Sequence, residues 1–482
     1  MANPSQPHVN LYGGSPLNRL SWLRTSQSFL NAIIASQNAR WLIFKAGHPL
    51  MLSEDSSKRS PAYLNTVDMI SLLGPEPIFG QGKDVGELLA DVDAEVDKHS
   101  PVEAVRHRGL RIVFLGIHEE GTGGRTHGAL PTSELSDPQE AIKRLGGTPY
   151  FTADISELEK TKEELENFLN ETSLAREGKK IAWTEPRSLM SSLDSFTAAV
   201  MASARTQADW NLRNKFCPGC GSPSYSMWGG WKLACNSLLP WVDNSGRSKP
   251  CFTAKGLHNF THPRTDAVVI MIAIDETGDK VLLGRGKRFP GKFYSALAGF
   301  IEPGETLEDA VAREMWEEAG VHVWDVKYHS GQPWPYPANL MVGFYARADS
   351  TQPIRTDLDN ELVDARWFTR QEIQQVLNHV DGTRFKKEDV RKMVEAFDER
   401  SNTEGGENPK RSELEPVASA CTPCEGPAVT TPVKEDSNAP PFTVPGYTAI
   451  AGVLIRDWAD GKIGFPRSTE GVNVNGAHKI NL

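Results

Sequence analysis

The sequence predicts an α/β protein in which a small cysteine-bearing module precedes a domain of strands built around one strong helix. Three observations carry that expectation. Four of the six cysteines fall between Cys217 and Cys251, and strand-like runs follow at Ala267–Asp275, Lys280–Arg285, Leu340–Ala348 and Asp364–Thr369. A helical segment, Thr306–Ala319, lies among those runs, the mixture expected of α+β or α/β architecture. With 482 residues the chain has room for about three domains at ~150 residues each, and 39% hydrophobic residues permit real cores. The net charge of −10 argues against a large basic patch for nonspecific duplex binding, though not against a local basic groove. The longest apolar run, Ala267–Ile274, is too short to span a bilayer, and the N-terminus lacks the basic-then-apolar order of a secretory signal. A soluble intracellular protein without membrane insertion is expected.

In chain order, residues 1–25 are Asn-, Pro- and Gly-rich and read as a flexible arm. Residues 26–200 read as a structural α+β domain. Trp41–Phe44 and Leu110–Leu115 are its strands, and Ser156–Leu169 carries Leu158, Leu165, Phe168 and Leu169 at helical spacing. A second helical segment, Leu189–Lys215, leads to the first cysteine, and nothing in the first 190 residues has a catalytic pattern. Residues 201–260 form the cysteine module and 261–397 the main domain. Residues 398–441 are rich in Ser, Thr, Pro, Glu and Asn with almost no aromatics, too little apolar surface to offset the entropy of ordering, so a disordered linker is expected. Helical spacing returns in Ala449–Ile455 and Trp458, which makes the linker an insertion and 442–460 the domain's final helix, with 461–482 as a tail.

Six cysteines are too few for a disulfide scaffold. Cys217-Pro-Gly-Cys220 is a compact knuckle whose Gly and Pro allow the tight turn that aims two thiolates at one ion. Cys235 and Cys251 would complete the tetrahedral sulfur set that structural zinc prefers, although the gap before Cys251 is long for a ribbon. A redox pair is the competing reading, without the βαβ context of a thioredoxin-like motif, and unligated thiols are the third. A closed four-thiolate site has no open coordination position, so it would brace the fold. Cys421 and Cys424 repeat the spacing without partners.

The segment from Gly299 to Val321 holds the most chemistry. Thr306 suits an N-cap, Asp309 the first turn, and Gly320 the left-handed position that stops a helix. At 100° per residue, Glu314, Glu317 and Glu318 share an arc of about 100° with Leu307, Ala310 and Val311, so the acids point toward packed structure. Exposed like charges at these spacings cost a few tenths of a kcal/mol each, and burial raises that. Arg313 is expected to compensate only one of them. The remaining cluster of hard oxygens suits Mg²⁺ or Mn²⁺, whereas a plain solvated acidic face is the bland alternative. The flanking loop favours the metal: Gly299 and Gly304 bracket a tight turn, and Glu305 sits just before the N-cap. Further on, Ser330-Gly-Gln332-Pro-Trp334-Pro-Tyr-Pro337 has three prolines at alternate positions, which predicts a rigid extended loop. Such a loop would hold Gln332 and Trp334 with little entropy left to lose on binding. A packed Trp-Pro corner and a polyproline ligand are the alternatives.

Gly, five residues, Glu, seven residues, Arg-Glu-Met-x-Glu-Glu-x-Gly-Val matches the Nudix box without departure. The chain therefore resembles the Nudix hydrolases, which implies an α/β/α sandwich whose box helix holds divalent metal beside a diphosphate. The Gln-Pro-Trp-Pro-aromatic-Pro centre resembles the signature of the NADH pyrophosphatase (NudC-type) subfamily, with Gly331 and Asn339 departing from its flanking serines. That subfamily carries a four-cysteine zinc ribbon ahead of the domain and a Tyr-Pro-Arg-x-Asp-Pro run, matched here by His262-Pro-Arg-Thr-Asp-Ala267 with His262 in the aromatic place. Glu361-Leu-Val-Asp-Ala-Arg-Trp367 matches the later segment that supplies one more active-site glutamate. Residues 26–200 resemble the family's divergent, Nudix-like N-terminal domain only faintly.

The resemblance implies hydrolysis of NADH, and of NAD⁺, to the nicotinamide mononucleotide and AMP. Glu314, Glu317, Glu318 and Glu361 would hold the catalytic metal, Gly299, Glu305, Arg313 and Gly320 would support the box, and Phe300, Gln332, Trp334 and Met341 would bind substrate. Removal of NAD caps from RNA 5′ ends through the same bond is the related alternative, and a catalytically silent NADH-binding module the alternative from another class. A homodimer is implied as well. Ile480-Asn-Leu482 after Lys479 weakly resembles a peroxisomal C-terminal tripeptide without its small first and basic second residues, so a cytoplasmic or peroxisomal location is expected.

Overall fold

The computed structural model describes residues 9–53, 59–89, 104–119, 146–243, 251, 263–287, 289, 291–302, 305–359, 361–383 and 439–463. Most of the linker expected over 398–441, the tail beyond 463, Cys421, Cys424 and His262 lie outside them. The chain divides into two compact units, Met1–Val269 with Phe300–Pro303 and His329–Gly343, and Ile270–Gly299 with Gly304–Tyr328 and Phe344–Leu482.

In the first unit, β1 (Arg40–Lys45), β2 (His48–Leu52), β3 (Val113–His118), β4 (Thr148–Asp154) and β5 (Ile181–Trp183) form a sheet in the order β3-β4-β1-β2-β5, with β1 and β4 parallel. Strand β1 is buried on both faces because its side chains alternate between two cores. Trp41 and Ile43 join Phe114 and Phe151 on one side; Leu42 and Phe44 join Val113, Leu115 and Tyr150 on the other, with Ala198, Met201 and Ala204 of the helix Ser195–Arg213.

Three expectations shift here. Residues 9–25 are packed: Tyr12, Leu17, Leu20 and Leu23 are buried, and Asn18 bridges Ile117 of β3. Composition suggested an arm, but these apolar residues among the polar ones enter both cores. The strand expected at Leu110–Leu115 begins at Val113, because the Leu110 carbonyl accepts from Arg106 Nε before pairing with β4 starts. The helix expected from Ser156 begins at Lys162, where Thr161 and Glu164 form a capping box.

The cysteine module is an antiparallel ribbon of β6 (Ser224–Met227) and β7 (Lys232–Cys235). A second sheet contains β8 (Asp266–Ile274), β9 (Lys280–Gly286), β10 (Leu297–Phe300), β11 (Val323–Trp334), β12 (Asn339–Ala348) and β13 (Leu362–Thr369), in the order β11-β12-β8-β9-β13 with β10 on β8. Among the described residues its helices are the box helix (Leu307–Ala319), Arg370–Leu377 and Ile450–Ala459, and Gln374 Nε2 donates to the Ala459 carbonyl at 2.9 Å to join the last two. The signature expected as a loop is, through Trp334, the end of strand β11. Pro333 is tolerated there because β11 is the sheet edge, where a missing N–H breaks no ladder.

Candidate active site

The box helix starts and stops on local chemistry. Thr306 Oγ1 accepts from Asp309 N at 3.2 Å, Asp309 Oδ2 accepts from Thr306 N at 3.1 Å, and Gly320 ends the helix at φ 66°. Ala310, Val311, Met315 and Ala319 are buried, and that apolar anchoring carries Glu318 inside with them, 5% exposed.

Arg313 does more than compensate one acid. Its guanidinium donates to both Glu305 oxygens at 2.5 and 3.0 Å, to Glu314 Oε1 at 2.7 Å and to Glu317 Oε2 at 3.0 Å. The fork geometry of Arg permits this three-acid grip, and it ties the loop before the N-cap to the middle of the helix. These carboxylates raise the Arg313 pKa, with Glu305 the strongest contributor. Glu314 approaches β10 so closely that a Cβ on Gly299 would lie 1.8 Å from its Cδ. Glycine at 299 is therefore a space requirement of Glu314.

Glu318 is the acid that Arg313 leaves out. Its Oε1 accepts from Ala298 N at 3.2 Å, and its pKa is raised well above the usual carboxylate range by burial first, then by the fields of Glu314, Asp359 and Glu361. Burial also raises Glu314, against the opposing pull of Arg313. Asp359 escaped the sequence reading because it sits in an Asp-Leu-Asp-Asn-Glu run with no motif spacing. Glu361 is exposed immediately before β13. A buried carboxylate among other acids, with the Ala298 N–H as its one donor among the described residues, is a costly arrangement that a divalent cation would relieve. The donor set, all carboxylate oxygen, fits Mg²⁺ or Mn²⁺.

The cysteine cluster is geometrically tighter. The Sγ atoms of Cys217, Cys220, Cys235 and Cys251 all lie within 4.8 Å of one another, the one group of three or more His, Cys, Asp or Glu found to converge so among the described residues. Cys217 and Cys251 are 3.6 Å apart, Cys220 and Cys235 3.4 Å, too long for disulfides. Edges of this size match the ~3.8 Å expected of four sulfurs ~2.3 Å from one ion. Cys251 thus joins the set despite its long gap. Burial pushes Cys217 up to about 12. Cys220 is exposed: the slight burial it has raises its pKa, but hydrogen bonds from Ser222 and the other thiols outweigh that and bring it down to about 6.

In the first unit, Phe300 is 57% exposed and lines a cavity of about 480 Å³ with Arg264, Asp266 and Ile301. The other expected substrate residues are not in that lining. Gln332 is fully buried and donates to the Leu11 carbonyl at 3.1 Å. Trp334 is half-buried, edge-on to Tyr12 and Tyr336, so the packed-corner alternative describes its surroundings; Met341 is half-buried on β12.

The NUDIX domain family matches residues 263–388, which take in Gly299, the box helix and Glu361. The class is that of the Nudix hydrolases. Among curated proteins the chain is 32% identical over 376 residues to "NAD-capped RNA hydrolase" of Schizosaccharomyces pombe, covering 77% of this chain and 85% of that one. It is 36% identical to "NAD-capped RNA hydrolase NUDT12" of Macaca fascicularis, covering 70% of this chain and 64% of that one. "NAD-capped RNA hydrolase NudC" of Mycobacterium bovis is 34% identical over 38% of this chain and 52% of its own. The chain belongs to this NADH-pyrophosphatase-type family of Nudix hydrolases. Among the described residues no helix is long and apolar enough to cross a membrane.

Proposed function

We propose that the protein hydrolyses the diphosphate of NADH, and of NAD⁺, to nicotinamide mononucleotide and AMP. The observation that carries this is Glu318, buried beside Glu314 with no cationic side chain paired to it among the described residues, on a helix with an intact Nudix box. Water oxygen joins one phosphorus, the bridging oxygen leaves with the other phosphate, and the water protons end on the two products or the solvent. Mg²⁺ or Mn²⁺ held by Glu314, Glu317, Glu318 and Glu361 would offset charge on the phosphoryl oxygens and acidify the attacking water. Arg313 holds Glu305, Glu314 and Glu317 in one frame, and Gly299 leaves space for Glu314. Phe300 offers an exposed ring for stacking a base, with Arg264 beside it. Trp334 and Met341 stay candidates for substrate contact, whereas burial makes Gln332 a support.

Removal of NAD from capped RNA is the second reading, favoured by the names of the relatives and by the chemistry, since the same bond breaks. Turnover on NADH, NAD⁺, ADP-ribose and NAD-capped RNA at equal concentration with Mn²⁺, and again with EDTA, tests both. Cleavage of none of these would leave a silent binding module, and a strong RNA preference would place the cap first. We assign the cysteine cluster to structural zinc, testable by metal analysis of the purified protein. We also propose a homodimer, to be checked by sedimentation, and peroxisomal entry through the C-terminal tripeptide. A fluorescent fusion that masks the C-terminus and still enters peroxisomes would defeat the last.

A further inference from the structure

Three consecutive residues near the N-terminus grip the signature segment more than 300 positions away. Asn10 Nδ2 donates to Ser330 Oγ at 3.1 Å and to the Gly331 carbonyl at 2.9 Å. The Leu11 carbonyl accepts from Gln332 Nε2 at 3.1 Å, and the Tyr12 and Tyr336 hydroxyls are 2.7 Å apart. Tyr12 also meets Trp334 edge-on at 6.4 Å. Residues 10, 11 and 12 thus meet the signature in ascending order. Asn10, Tyr12 and Gln332 are each at most 4% exposed, so these bonds are made away from water. Tyr12 adopts φ 72°, a left-handed conformation that a bulky residue takes only where its surroundings hold it.

The far side of the same segment is braced as well. Arg205 donates to the carbonyls of Gly47 and Pro335, and the guanidinium groups of Arg205 and Arg187 each lie 5.2 Å from the Tyr336 ring. Just beyond, the buried Ala338 carbonyl accepts from Asp266 N at 3.0 Å, and Asp266 lines the cavity with Phe300 and Arg264. A continuous set of contacts therefore runs from the N-terminal segment through the signature to the cavity wall.

We propose that Asn10–Tyr12 is a strap whose bonds to the signature set the shape of the dinucleotide-binding cavity, with Asn10, Tyr12 and Gln332 as positioning residues. The proposal rests on reading the Phe300 cavity as the base pocket. It gives the N-terminal segment a part in substrate recognition, where its sequence suggests only a loose arm. The bonds that define the strap go to the signature, so its loss should weaken binding and leave the chemical step alone.

The test uses the full chain with Asn10→Ala and Tyr12→Phe, the second keeping the ring and removing only the hydroxyl. KM and kcat for NADH are measured with Mn²⁺, the equilibrium Kd for NADH in EDTA by nicotinamide fluorescence, and thermal midpoints alongside. Tyr12→Phe should raise KM and Kd about fivefold, the worth of one buried hydrogen bond, and Asn10→Ala, which removes two, at least as much, with kcat of both within about twofold of wild type. Unchanged KM and Kd overturn the strap, as does a fall in kcat at constant KM, the pattern of lost folded protein. Wild-type protein that neither binds nor cleaves NADH would overturn the base-pocket reading itself and the strap with it. Wild type that binds normally beside variants that bind equally well defeats the strap alone.

Discussion

Replacing Gly299 by alanine should remove most turnover while leaving the protein folded. The new methyl would lie 1.8 Å from Glu314 Cδ and 2.0 and 2.1 Å from its two oxygens. Non-bonded carbons rest near ~3.5 Å, so the carboxylate has to retreat by roughly 1.7 Å. Misplacement by about 1 Å costs about 10²-fold at a reacting constellation, and kcat should fall by at least that factor. Stability responds less, because the obstructed atoms are the end of a flexible side chain; a change of about 1 kcal/mol or less is expected. Initial rates of NADH cleavage with Mn²⁺, separated by chromatography, report the first quantity, and urea unfolding the second. A variant with near-normal kcat would show that the position of Glu314 is immaterial, and the account of the box would be wrong.

Arg313→Lys replaces a fork that serves three acids with a point charge, and should cost about 1–3 kcal/mol by urea denaturation; an unchanged midpoint would mean the grip on Glu305, Glu314 and Glu317 contributes nothing. In metal-free protein the raised Glu318 pKa means that the folded state holds its proton more tightly than the unfolded state. Its contribution is thus complete below the ordinary carboxylate range and is lost as pH rises through the raised value. The thermal midpoint of wild type in EDTA should therefore fall relative to Glu318→Gln as pH climbs toward neutrality, and saturating Mn²⁺ should close the gap; parallel curves would count against a buried, titrating Glu318. Cys235→Ser should cost the bound metal and lower the thermal midpoint, with metal content by atomic absorption as the check and full retention as the contrary result.

The box helix was legible because its signals are local. Thr306, Asp309 and Gly320 decide its ends within a turn of themselves, and the spacing of Glu314, Glu317 and Glu318 is a property of any α-helix. What lay beyond the sequence depends on side-chain reach or on distant chain. Arg313 meets Glu305 eight positions back, which no helical period selects, and Asp359 reaches Glu318 only through the fold. The spacing of the prolines marks Gln332 as held in place, but that the Leu11 carbonyl accepts from its amide is visible only in the fold. The expected arm is packed because Leu17, Leu20 and Leu23 find cores that composition alone does not show. The gap before Cys251 is long for a ribbon, yet closure cost grows only slowly with loop length and its sulfur sits 3.6 Å from Cys217.

The decisive measurement is a manganese titration followed by electron paramagnetic resonance, on zinc-loaded wild type and Glu318→Gln. Surplus buried carboxylate on the box helix should give the wild type saturable manganese sites, weakened at least about tenfold when Glu318 loses its charge. Equal binding by the two proteins, or none by either, would contradict the claim that this helix exists to hold cations at a diphosphate.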